Sequence, residues 1–135
     1  VKRIPREFYT VYFQLLNPTY HMNDDKLKAL YHKLEFLLES DDKKTEEIFF
    51  SLFKESMDLL IYPFTQEKFD FADEAYFDRI YKKGEELSKS KDVRKGGKAR
   101  GSRHILYINR TYFGLFSILH ELSAEITTTT SFEFE

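Results

Sequence analysis

The stretch KGGKARGSRHILYINRTYFGLFSILHELSAE, Lys95 to Glu125, sets the reading of this chain. It opens as a basic, glycine-rich loop and runs into the most apolar helix-like segment of the sequence. No Asp or Glu occurs between Asp92 and Glu121, while Arg94, Lys95, Lys98, Arg100, Arg103 and Arg110 all do. Asn109 is a good N-cap for a last helix from Arg110 to about Ala124, with Tyr112, Leu115, Phe116, Leu119 and Leu122 on one face. Before it, Ile105-Leu106-Tyr107-Ile108 reads as a short strand or extended lead-in. Gly114 weakens that helix by about 1 kcal/mol relative to Ala, which points to close approach of another backbone.

Upstream, the same helical spacing recurs. Pro5 suits the start of a helix carrying Phe8, Tyr9, Tyr12, Phe13, Leu15 and Leu16, and Asn17-Pro18 ends it. Asn23 or Asp24 caps a second, whose apolar residues Leu27, Leu30, Tyr31, Leu34, Leu37 and Leu38 predict helix as far as the break at Ser40-Asp41-Asp42. A third runs from Lys43 to Ile61, stopped by Pro63. Asp73 caps a fourth, with Phe77, Ile80, Tyr81, Gly84 and Leu87 on one face. Residues 88–104 read as a basic, glycine-rich loop and 126–135 as a frayed, threonine-rich tail. Phe69 and Phe71 alternate with polar residues, but so short an alternation predicts no sheet. The expected architecture is a single all-α domain of about five helices over residues 1–135.

Composition narrows the chemistry. The absence of cysteine excludes disulfides, thiolate metal sites and cysteine nucleophiles, and fits a reducing, cytoplasmic compartment. The net charge of −2 predicts no whole-chain attraction to nucleic acid or anionic lipid. The charge is uneven: residues 1–92 hold 15 Lys and Arg against 19 Asp and Glu, residues 93–135 hold 6 against 4. Fourteen Phe and nine Tyr, mostly at helical spacing, predict an aromatic core. No run approaches the ~18 apolar residues of a membrane span.

Spacing decides how the metal and phosphate motifs read. His120-Glu121-Leu122-Ser123-Ala124 has Ala where the second imidazole of a zincin must stand, and His21, His32 and His104 show no paired spacing. The acid pairs Asp24-Asp25, Asp41-Asp42 and Glu46-Glu47 sit at helix starts, where capping and the helix dipole account for them. Gly96-Gly97-Lys98-Ala99-Arg100-Gly101 has the composition of an anion nest without the spacing of a P-loop. Arg94, Lys95, Lys98, Arg100 and Arg103 are therefore candidate contacts for an anion or partner, set against a solvated connector.

Two segments resemble a known family. Val1-Lys2-Arg3-Ile4-Pro5-Arg6-Glu7-Phe8-Tyr9 looks like the segment that follows the Asp-Phe-Gly motif in UbiB/AarF atypical kinase-like proteins. Ala99-Arg100-Gly101-Ser102, then Asn109-Arg110-Thr111-Tyr112-Phe113-Gly114-Leu115, then Leu122-Ser123-Ala124-Glu125, is similar to the C-terminal pattern of that family. The resemblance implies the helical end of a kinase-like large lobe, cut from a longer chain. The parent would be an ATP- and magnesium-using enzyme linked to isoprenoid quinone biosynthesis, associated with membrane only through its other parts. No position here matches a catalytic, cofactor or metal residue of the family, so the piece itself is expected to be non-catalytic and without a cofactor. Its implied partner is the rest of the parent chain, or a second copy covering exposed apolar surface. The alternative reading is a helical adaptor that binds an acidic partner or nucleic acid through residues 94–103.

Overall fold

The computed structural model describes residues 3–91, 100 and 103–128, with backbone alone for 103 and 105–107. Among them are six α-helices and one small sheet: α1 (Arg6–Phe13), α2 (Pro18–His21), α3 (Asp24–Lys33), α4 (Lys43–Ile61), β1 (Lys68–Asp70), α5 (Glu74–Lys89), α6 (Arg103–Glu121) and β2 (Glu125–Thr127). The all-α expectation holds in the main, because capping and apolar spacing act together. Asn23 accepts from the Asp25 and Lys26 amides, Asp42 from Thr45 and Asp73 from Tyr76, each satisfying donors that the first turn leaves open. Helix α4 has the predicted bounds, with Phe49, Phe50, Met57, Leu60 and Ile61 buried.

Three expectations are corrected. The second helix stops at Lys33, although its apolar pattern runs on to Leu38. Glu35 is in the left-handed region (φ 62°), the Phe36 amide donates to the Tyr31 carbonyl and the Glu35 amide to that of His32. This is a Schellman turn, and the Phe36 ring meets Tyr31 edge-on at 5.3 Å as its hydrophobic contact. Leu34, Phe36 and Leu37 are buried from the turn and not from a helix. The last helix begins at Arg103, so Ile105–Ile108 is neither strand nor lead-in, and Asn109 is an interior residue that accepts from the Tyr12 hydroxyl at 2.8 Å.

The third correction concerns the sheet and the tail. Helix α6 ends in a second Schellman turn: Ser123 has φ 50°, its amide donates to His120 and that of Ala124 to Leu119. The turn sends the chain back as β2, antiparallel to β1 with Phe69 opposite Ile126. Thr128 follows, buried, its amide bonded to the Glu67 carbonyl and its hydroxyl to that of Gln66. The predicted fraying is thus overturned for 126–128, while 129–135 lie outside the described residues.

The core is aromatic, as composition predicts. Tyr31 and Tyr76 are among its most buried members, and the Tyr76 hydroxyl donates to the Leu59 carbonyl at 2.7 Å. Helix α6 closes the core with Phe116, flanked by Phe64 and Phe71. Both Schellman turns place an L side chain where glycine is unstrained. Glu35→Gly and Ser123→Gly should therefore each raise stability by about 0.5–1 kcal/mol, after the greater unfolded-state freedom of glycine is offset. Urea denaturation of each exposed-site variant measures it.

Candidate functional site

Of the five cations singled out in the sequence, the structure describes the side chain of Arg100 alone. Arg94, Lys95 and Lys98 lie outside the described residues, and Arg103 is seen only as the first residue of α6. Arg100 is not solvated. Its side chain is 8% exposed and grips Asp41, 5% exposed, through two hydrogen bonds of 2.6 and 2.7 Å. A third goes to the Phe36 carbonyl, and the guanidinium lies 3.7 Å over the Phe49 ring. These contacts make Arg100 a clasp that ties the turn after α3 to the segment before α6. An external anion would have to displace Asp41.

Asp41 is corrected with it. Its neighbour Asp42 is the helix cap that sequence predicts, but Asp41 itself is the counter-ion of Arg100 and also accepts from the Leu38 amide. The Arg100 hydrogen bonds, above all, hold its carboxyl below the usual carboxylate range; burial opposes them and the Leu38 amide assists.

His21 and His120 act as fasteners. His21 donates to the Leu15 carbonyl and faces Asp58 at 3.6 Å. His120 donates from Nδ1 to the Phe71 carbonyl, stacks on Phe77 and turns Nε2 towards Glu74 at 3.7 Å. Each ring bonds one backbone carbonyl and turns its other nitrogen towards a carboxylate. No group of three or more His, Asp or Glu suited to a metal ion occurs among the described residues, and no helix there is long and apolar enough to cross a membrane.

Two features remain open. Helices α4, α5 and α6 leave a cavity of about 260 Å³ between them, mostly apolar, with Ser56, Lys83 and Asn109 among its lining residues. The second is the outer side of α6. Ile108, Tyr112, Phe116 and Leu119 pack on the core. Leu115, Ile118 and Leu122, at i, i+3 and i+7, form another stripe and are 49%, 57% and 71% exposed. Gly114 borders that stripe, four residues before Ile118. A Cβ built there meets nothing within 4 Å, so the close backbone that sequence predicts is not among the described residues.

No family model matches the chain, and neither a curated protein nor a solved structure does.

Sequence reasoning missed the clasp because its partners are 59 residues apart. It missed the cavity as well, though Gly84 in the interior of α5 was a signal. Asp41→Asn should destabilise the chain by about 3 kcal/mol, because it leaves a buried guanidinium uncompensated. A depressed carboxyl contributes stability that is complete above its ordinary value, about 3.9, and is lost as pH falls through the lower folded value. The variant should therefore lose less stability than the parent chain on acidification below pH ~4, a difference that urea titrations across pH detect.

Proposed function

We propose that this chain is a non-catalytic helical module, the C-terminal helical part of a UbiB/AarF-like kinase-like protein, whose task is to pack against the ATP-binding remainder. The supporting observation is the second apolar stripe of α6. Leu115, Ile118 and Leu122 are exposed on the helix that also holds most of the family-like pattern. A helix whose apolar arc runs past the part that the described fold covers is suited to burial over the wider arc. Gly114 beside the stripe gives room for a neighbouring element to approach closely.

On this reading the stripe is an internal surface of a larger lobe. ATP and magnesium belong to the upstream part of that protein, which works in the cytoplasm and reaches membrane only through its other segments. A second copy of the chain covering the stripe is the competing occupant. Of the cations on which the adaptor reading rests, Arg100 is already engaged with Asp41.

The direct test is the coding sequence immediately upstream of Val1. Asp-Phe-Gly should stand within a few residues of it, and its absence there ends the proposal. Calorimetry on the chain alone should show no binding of Mg-ATP; micromolar binding would contradict a non-catalytic role. Ile118→Glu should change the stability of the chain by no more than about 0.5 kcal/mol, since the site is exposed. The same change should weaken association with the separately produced ATP-binding part at least tenfold.

A further inference from the structure

The cavity between α4, α5 and α6 has a chemical character of its own. Phe53, Met57, Leu60, Ile80 and Leu87 supply apolar wall, and the half-exposed Phe113 stands at its rim. Of the polar groups that line it, two are already satisfied. The Ser56 hydroxyl donates to the Leu52 carbonyl, and the Lys83 ammonium is held by Glu55 and Glu86. Asn109 accepts from the Tyr12 hydroxyl on Oδ1, while its amide nitrogen donates to no described group.

We infer that this cavity binds a small, neutral, largely apolar ring compound carrying one hydrogen-bond acceptor. Neutrality follows from the lining. The one ammonium has two carboxylate partners, so a charged ligand would lose its hydration without gaining a counter-ion. The acceptor follows from the amide nitrogen of Asn109. Size follows from volume: where about 150 Å³ holds benzene, this half-open pocket of about 260 Å³ takes about ten non-hydrogen atoms.

Gly84 is a second, independent sign. It lies inside α5 and on the cavity wall, where glycine weakens a helix. A Cβ there would meet nothing within 4 Å, and the backbone does not adopt a positive φ. Neither packing nor conformation requires glycine at this position. Its effect is to leave the cavity unblocked.

The test is an amide-detected NMR titration of the chain with 1-indanone and with indane, the same ring system without the carbonyl. Saturable shifts are expected in residues 56–60, 80–87 and 109–113, with dissociation constants in the high-micromolar to millimolar range for so small a ligand. Indane should bind about tenfold more weakly, as expected for a lost hydrogen bond of about 1.4 kcal/mol. Asn109→Asp keeps an acceptor for Tyr12 and removes the donor, and should erase the preference for the ketone. Gly84→Leu should abolish binding of both compounds without lowering the melting temperature. Shifts that fail to saturate, that fall elsewhere, or that persist in folded Gly84→Leu would overturn the site. Equal affinity for the two compounds would overturn the assigned acceptor. If Gly84→Leu does not fold, the shift map of the unaltered chain decides.

Discussion

Phe116 is the residue through which helix α6 is held to the rest of the chain. It is buried between Phe64 and Phe71, and burial of one such ring contributes about 2–3 kcal/mol. The hydrogen bonds at either side, Tyr12 to Asn109 and His120 to the Phe71 carbonyl, each contribute about 1 kcal/mol net. The apolar contact therefore supplies at least as much as the two polar ones together, and the polar ones set the register of the helix. Register matters because the turn at Ser123 follows at once, and the pairing of β2 with β1 depends on where that turn falls.

The same seating produces the functional argument. Tyr112, Phe116 and Leu119 are turned inward, while Leu115, which the spacing puts on the same face, and Ile118 beside it are left exposed on its flank. Rotating α6 to bury them would expose Phe116 and break the bond to Tyr12. Among the described residues nothing covers Leu115, Ile118 and Leu122, which stay exposed. The clasp between Arg100 and Asp41 serves the same end from the other direction. It fixes the chain ahead of α6 to the turn after α3, and so removes from the basic segment the one described cation that composition offered to a partner.

Much of this was legible in the residues. Caps with a following apolar stripe located α4 and α5 closely, because the signal in each case is local: Asp42 and Asp73 act within three residues. What sequence hid was either non-local or of ambiguous period. Glu35 gives no glycine-like warning of a left-handed turn, so the apolar spacing through Leu38 reads as unbroken helix. Strands of three residues leave too little alternation to register, and β1 finds its partner only through the reversal at Ser123. Ile105 to Ile108 is apolar enough for a strand, and nothing in its own residues shows that the helix running to Glu121 starts ahead of it, at Arg103. Among the candidate site residues, Arg100 was recognised as special for its charge. Its role depended on Asp41, whose place at a helix start had already been explained by its neighbour.

The chain contains no cysteine, so one introduced at position 118 reports on the outer face of α6 without background. Ile118→Cys should react with a maleimide rapidly in the 135-residue chain and many-fold more slowly when the same chain is joined to the proposed ATP-binding part, read at the level of the peptide by mass spectrometry. Equal rates in the two contexts would show that the stripe is not an internal surface and would contradict the account.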